Sequence, residues 1–249
     1  MKVIIIAAGS AKRLGKHTSE LPKGLLDING KSILERQIDI LRNNGIQEII
    51  IITGPHKEKI KFNNVRYVED LEHEKHDVLL SLMVAKNEIN GDVIVTYSDI
   101  LFDAKIIQQI MKSKVDIGVV TDMNWEQKYQ NRTEHPKSQA DNVIIEDNKI
   151  VRIKKNISKI LEKQKNGEFI GIMKFSEKGS KKFVKEFNKV AKNNPNPFHD
   201  SNTFKKSYLT DMIQELIDQK ILVEPITVDG DWCEIDTPQD LENARKKYL

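Results

Sequence analysis

A short apolar run, Val3-Ile4-Ile5-Ile6, ends in Ala7-Ala8-Gly9 and is followed almost at once by Lys12 and Arg13. Small residues after a buried strand let backbone N–H groups approach a phosphate or a base edge, and the two cations add positive charge there. A plain structural turn is the competing reading. The segment fits neither G-x-x-x-x-G-K-[ST] nor G-x-G-x-x-G, so the two familiar phosphate loops are excluded. Further on, Lys23 follows Pro22, whose ring stiffens the backbone before a lysine that could point at a fixed anion. Taken singly, Lys23 reads as surface decoration. Two acids stand out in the same way. Asp99, in Tyr97-Ser98-Asp99-Ile100, follows a β-branched run, at the strand end where ligands bind in open α/β sheets. Asp236 lies in Trp232-Cys233-Glu234-Ile235-Asp236-Thr237-Pro238. Their plainer roles would be capping the helix near Ala104 and assisting the Thr237 cap.

The elements that must position these side chains alternate along the chain. Val3–Ala7, Glu48–Thr53, Val65–Val68, Asp92–Tyr97 and Val115–Thr121 read as strands, mostly without polar alternation and so buried on both faces. Between them Ser32–Asn43, Asp77–Asn87 and Ala104–Lys112 carry helical spacing, with Gly45 as a C-cap after the first. After Thr121 the rhythm changes. Asn142–Ile145 and Lys149–Lys154 flank a hairpin-like turn, and Phe169–Phe175 is a further strand. Helices over Ser176–Lys192 and Lys206–Asp218 follow, then strands at Val223–Val228 and Trp232–Ile235. Thr237 and Pro238 open a last helix as N-cap and N1. The pattern predicts an α/β fold: a Rossmann-like mixed, mostly parallel sheet with helices on both faces and a small antiparallel insertion. It also predicts one domain over residues 1–249, with the insertion at about 122–168.

Composition excludes several classes. Forty Lys+Arg against 37 Asp+Glu leave a net charge of +3, too small a surplus to argue for nucleic acid or a membrane surface. A single cysteine, Cys233, rules out an intrachain disulfide or a Cys-based zinc site and suits a reducing cytoplasm. The apolar start is too short for a leader peptide, and no window approaches the 18 or so apolar residues of a membrane span.

Together, V-I-I-I-A-A-G, then K-R-L, then L-P-K-G-L-L-D-I-N-G-K-S-I-L resemble the nucleotidyltransferase superfamily that acts on sugar phosphates and small phosphorylated alcohols. The resemblance runs from the first strand to the last helix. It implies that Ala7, Ala8 and Gly9 hold a nucleoside triphosphate by their backbone, with Lys12 and Arg13 on its phosphates and Lys23 as the catalytic lysine. Asp99 matches the family's metal-binding aspartate, and W-x-E-I-D-T-x-x-D supplies Asp236 as the second metal carboxylate. Two carboxylates beside phosphate oxygens suffice for Mg²⁺. The family loop has a second glycine where this chain has Ala11, which an alanine can replace only at negative φ.

Among the branches, the chain looks most like the short cytidylyltransferases acting on phosphocholine and on phosphonates such as 2-aminoethylphosphonate. The segment Trp125-x3-Tyr129-x2-Arg132-x2-His135-Pro136, with Gly167-Glu168-Phe169-Ile170-Gly171, resembles the phosphonate branch. Arg132, His135, Lys154, Glu168 and Tyr208 are the candidate acceptor-binding residues. The Lys154 assignment competes with Lys155, and Arg132 and His135 could equally face solvent. Ser81, near His76 and Asp77, is the candidate for base or ribose contact. Trp125, Tyr129, Tyr208 and Trp232 could wall a cationic head group, or simply pack. The expected activity is Mg²⁺-dependent transfer of CMP from CTP to a small phosphate or phosphonate, releasing pyrophosphate, by a monomer or homodimer. The alternatives are a sugar-1-phosphate uridylyl- or thymidylyltransferase and a non-catalytic nucleotide sensor. Asp99 and Asp236 are expected at the ends of neighbouring strands, close enough to raise the proton affinity of at least one of them.

Overall fold

The computed structural model describes residues 1–9, 12–157 and 159–248. Along the chain it forms strand β1 (Lys2–Ala7), the short strands β2 (Asp27–Ile28) and β3 (Lys31–Ser32), helix α1 (Ile33–Asn43), β4 (Glu48–Thr53), β5 (Arg66–Glu69) and α2 (Val78–Val84). Next come β6 (Val93–Tyr97), β7 (Ile100–Phe102), α3 (Ala104–Lys112), β8 (Ile117–Asp122), β9 (Asp141–Glu146), β10 (Lys149–Lys155) and β11 (Lys165–Phe175). The chain ends with α4 (Glu177–Asn193), α5 (Leu209–Asp218), β12 (Glu224–Val228), β13 (Trp232–Glu234) and α6 (Pro238–Lys247).

The central sheet is mixed, in the order β10-β9-β11-β6-β1-β4-β5, with β8 also pairing β11 and β12 pairing β8. β6, β1, β4 and β5 run parallel to one another, as do β8 and β12. β11 is antiparallel to β6, β8 and β9. Alternation along β1 sends Ile4 and Ile6 into one core and Val3 and Ile5 into the other. The first core is closed by α2, α4 and α5, the second by α1 and α3. Sequence runs without polar alternation therefore do lie between two helical layers. The β9–β10 hairpin lies within residues 122–168 and extends the edge of the central sheet through β9. Among the described residues, no helix is long and apolar enough to cross a membrane.

Two features set the floor of the site. β11 bends where its pairing shifts between Phe169 and Met173. Gly171 sits there at φ +76°, and a Cβ at that position would come within 2.7 Å of the Tyr97 ring. Only glycine satisfies both constraints. β13 pairs antiparallel with β7, not with the central sheet, and the Ile235 amide donates to the Asp99 carbonyl (3.0 Å). A third small core, including Leu14, Leu26, Leu101, Ile235 and Leu241, fastens this ribbon beneath the first loop.

Candidate active site

Asp99 occupies the tight turn from β6 into β7, and Asp236 follows β13. The two are neighbours because β13 pairs with β7, so the expectation of adjacent strands of the main sheet is corrected to a strand-end turn beside an added ribbon. Neither acid is used as expected for a helix cap. Asp103 caps α3, accepting from the Ile106 amide (3.1 Å). Asp240 completes the Thr237 capping box and also accepts from the Asp236 amide (3.1 Å).

Lys23 reaches into the space between them. Pro22 precedes a 3-10 turn over Lys23–Leu25, and a Cβ on Gly24 would collide with the Leu34 side chain of α1 at 2.7 Å. That close packing fixes the turn, and the lysine projects from it. Its ammonium donates to Asp99 Oδ2 (2.8 Å) and to Asp236 Oδ1. The side chain is only 12% exposed. Burial opposes its charge, but Asp99 and Asp236 outweigh that and raise its pKa above the ordinary lysine range. The expected rise in an aspartate's proton affinity is reversed for Asp236. Burial pushes its carboxyl up, yet Lys23, Arg13 and His135 bring it below the usual value. Arg13 donates to Asp236 Oδ2 and to Gln139 (3.0 Å). Glu234 carries the repulsion instead: burial, then Asp236 and Asp99, raise its pKa strongly.

One cleft contains most of the expected residues. Ala7, Ala8, Gly9, Arg13, Lys23 and Asp99 line it together with Asp236, His135, Glu168 and Tyr208. Ser10 and Ala11 lie outside the described residues, as does the Lys12 side chain. His76, Asp77 and Ser81 also border the cleft. The Ser81 hydroxyl donates to buried Asp70 (2.7 Å), so it offers the cleft only its acceptor lone pairs.

Two acceptor candidates are corrected. The Arg132 guanidinium binds Asp240 (2.7 Å) and Glu234 (3.4 Å) and lies 5.0 Å over the Tyr129 ring. It is spent on holding the β13–α6 junction and is not among the cleft residues. Lys154 pairs with Asp200 on another face, whereas Lys155 lines the cleft, 5.7 Å over the Tyr208 ring. A pairing irregularity between Ile150 and Arg152 resets the alternation of β10, which simple counting from Ile150 misses. Of the expected aromatic residues, Tyr129, Tyr208 and Trp232 reach the cleft, while Trp125 packs with Tyr129 and Ala140 away from it. The Trp232 indole donates to Asp122 (2.7 Å).

His135 is buried, with Nδ1 3.5 Å from Asp236 and Nε2 3.6 Å from Glu234. Burial, followed by Arg132, lowers its pKa to about 4, so the ring is neutral near pH 7. Sequence reasoning gave no role to Tyr97, Asp141 or Glu234, all of which line the cleft. Glu234 was signalled by its place in the W-x-E-I-D motif; Asp141 stands just ahead of the expected strand and carried no signal.

The donor set suits a divalent cation. Asp99 Oδ1 is buried without a hydrogen-bond partner. His135, Glu234 and Asp236 offer ligand atoms within 4.8 Å of one another. Carboxylate oxygens are what a hard divalent cation requires.

Residues 3–134 match the model of the MobA-like NTP transferase domain. The CTP:phosphoglutamine cytidylyltransferase of Campylobacter jejuni is 26% identical over 255 residues, covering 97% of this chain and 98% of that protein. The choline-phosphate cytidylyltransferase of Streptococcus pneumoniae is 35% identical over 106 residues, 41% of this chain and 46% of that protein. The solved CTP:phosphocholine cytidylyltransferase from Streptococcus pneumoniae superposes with a TM-score of 0.73 at 22% identity, over 100% of this chain and 99% of that one. A first-strand loop, a lysine clamped between two aspartates and a cleft along the strand ends thus sit on a chain that belongs to the MobA-like NTP transferase family and is a nucleotidyltransferase.

Proposed function

We propose that the protein transfers CMP from CTP to the phosphate or phosphonate oxygen of a small acceptor, with Mg²⁺ as the metal and pyrophosphate as the second product. The observation that carries this reading is the Lys23 ammonium bonded to both Asp99 and Asp236 beside the Ala7–Gly9 turn. The choice of CTP rests on the relative that matches over nearly its whole length, which is a CTP-dependent cytidylyltransferase. The sugar-1-phosphate and sensor alternatives have no comparable support.

The acceptor oxygen attacks the α-phosphorus in line; the bond to the β-phosphate oxygen breaks and pyrophosphate leaves. That oxygen is already ionised near pH 7, so no general base is needed. The work of the protein is positioning and charge neutralisation. Backbone at Ala7, Ala8 and Gly9 takes the nucleotide, with Ser81 toward its base or ribose. Lys23 meets the charge growing on the α-phosphate, and Arg13 the phosphates that depart. Asp99 and Asp236 would hold Mg²⁺, which when bound supplies positive charge to the triphosphate. His135, Glu168, Tyr208 and Lys155 border the acceptor side. We read residues 1–249 as one domain, the 122–168 insertion supplying that side.

The test is pyrophosphate release measured for CTP, UTP, dTTP and ATP, each against a panel of small phosphates, phosphonates and sugar 1-phosphates. CTP with a non-sugar acceptor should exceed every other pair by at least about tenfold. Preference for a sugar 1-phosphate with UTP or dTTP would overturn the reading, and absence of release from every pair would favour a sensor.

A further inference from the structure

Helix α1 braces two of the charged groups of the centre through side chains that are not among the cleft residues. Leu34 and Gln37 stand three positions apart, on one face of the helix. Leu34 packs against Gly24 in the turn that carries Lys23, so closely that a Cβ there would lie 2.7 Å from it. Gln37 is 1% exposed, and its amide nitrogen donates twice, to the Tyr97 carbonyl (2.8 Å) and to the Ile100 carbonyl (2.7 Å). Those carbonyls are the two ends of the β6–β7 turn on which Asp99 sits.

The other bonds of the turn run in other directions. The Ser98 amide donates back to Ile6 of β1 (3.1 Å), and the Asp99 carbonyl accepts from Ile235 (3.0 Å). Bonded pairs alternate along an antiparallel ladder, so with Asp99 and Ile235 bonded the Ile100 carbonyl points away from β13, toward α1. The Tyr97 carbonyl has a second donor in the Thr96 hydroxyl at 3.2 Å. One amide group therefore ties both ends of the turn to a helix. It does so at a cost, since Gln37 Oε1 is buried and has no hydrogen-bond partner among the described residues. Buried polar atoms are rarely left in that state. An apolar side chain would fill this face without an orphaned acceptor, so what the position supplies is two N–H donors.

The aim of the Asp99 carboxylate depends on this turn. Its Oδ2 meets the Lys23 ammonium at 2.8 Å, and its Oδ1 is the buried oxygen left for a cation. Divalent cations hold carboxylates at narrowly set distances, so a small shift of the turn is felt in affinity. We propose that Gln37 is a positioning residue for Asp99, setting through the Tyr97 and Ile100 carbonyls where that carboxylate meets a divalent cation. This rests on the reading of Asp99 as a metal carboxylate.

Titration of the full chain with Mn²⁺ alone, followed by the electron paramagnetic resonance of the free ion, tests this without turnover. Gln37→Met keeps the side chain's length and removes both donors. It should weaken Mn²⁺ binding about tenfold, the scale of losing a group that orients a metal ligand. In an Asp99→Asn background the same substitution should change affinity by less than about twofold, because Gln37 acts through Asp99. Ile38→Ala, in the second core on the same helix, controls for lost stability. Urea unfolding should show it destabilised while its Mn²⁺ affinity stays that of the wild type. If Gln37→Met does not fold, Gln37→Glu takes its place with the same expectations, since it keeps the shape and offers at most one donor. Unchanged affinity in the Gln37 variant, an equal loss in the Asp99→Asn background, or an equal loss in Ile38→Ala would overturn the proposal. A weakened Asp99→Asn beside an unaffected Gln37 variant would sink the proposal and leave the metal reading standing. Wild-type affinity in Asp99→Asn would overturn the metal reading and this inference together.

Discussion

The role proposed for Lys23 is to meet charge that changes during the reaction, and its ammonium sits where two carboxylates converge. Replacing it with alanine removes that charge and returns Asp99 and Asp236 to mutual repulsion. Lys23→Ala should therefore lower kcat by about 10²–10³, the scale of losing one preorganised donor. Single-turnover kinetics with the triphosphate check this, and an unchanged kcat would remove Lys23 from the mechanism. Arg13 differs in kind: its side chain is 56% exposed and its proposed partners are the departing phosphates. Arg13→Ala should weaken triphosphate binding at least as much as it slows turnover, seen as a rise in KM.

The β13–α6 junction shows how an element holds these side chains in place. Asp240 accepts from the backbone of Asp236 and Thr237, and it also binds Arg132, whose side chain is 8% exposed. Asp240→Ala would remove the reciprocal half of the Thr237 capping box, the acceptor for the Asp236 and Thr237 amides. It would also strip a buried guanidinium of its main partner, for which losses of about 3–5 kcal/mol are usual. Urea denaturation should report a combined loss of at least about 3 kcal/mol, and a loss below about 1 kcal/mol would contradict the bracing role. Elements of this kind were partly legible in the sequence. Thr237-Pro238 announced the last helix, and the isoleucine runs announced β1 and β4, because local chemistry fixes both. Arg132 was not legible as a brace, since its partners at Glu234 and Asp240 lie far along the chain. Lys154 and Lys155 were not separable in the sequence, because the pairing irregularity between Ile150 and Arg152 that sets which of the two faces the cleft leaves no mark on a local pattern.

At the scale of the whole molecule, the fold carries buried acids whose ionisation opposes folding. Burial raises Glu168 from its ordinary 4.5 to about 8, so between those values the folded chain binds a proton that the unfolded chain has released. Stability then falls as pH rises through that window. Glu168→Gln removes the effect. The variant should match the wild type near pH 4.5 and gain on it progressively up to about pH 8, as measured by denaturant midpoints. An equal gain at pH 5 and pH 8 would contradict the assignment. The order of the motifs along the chain was readable because the first-strand loop, the Pro22-Lys23 turn and the two acids each stand in a short local segment. Their meeting point was not, because it depends on β13 pairing with β7 outside the main sheet. In the proposed reaction Asp99 and Asp236 act as one unit with Lys23. The direct measurement is pyrophosphate release from CTP by the wild type, Asp99→Asn, Asp236→Asn and the double variant, with Mg²⁺ varied. Each single variant should lose turnover at low Mg²⁺, and the double should be worse than either by no more than about threefold, as for residues that work together. A single variant with the wild-type rate, or losses that multiply in the double, would contradict the shared centre.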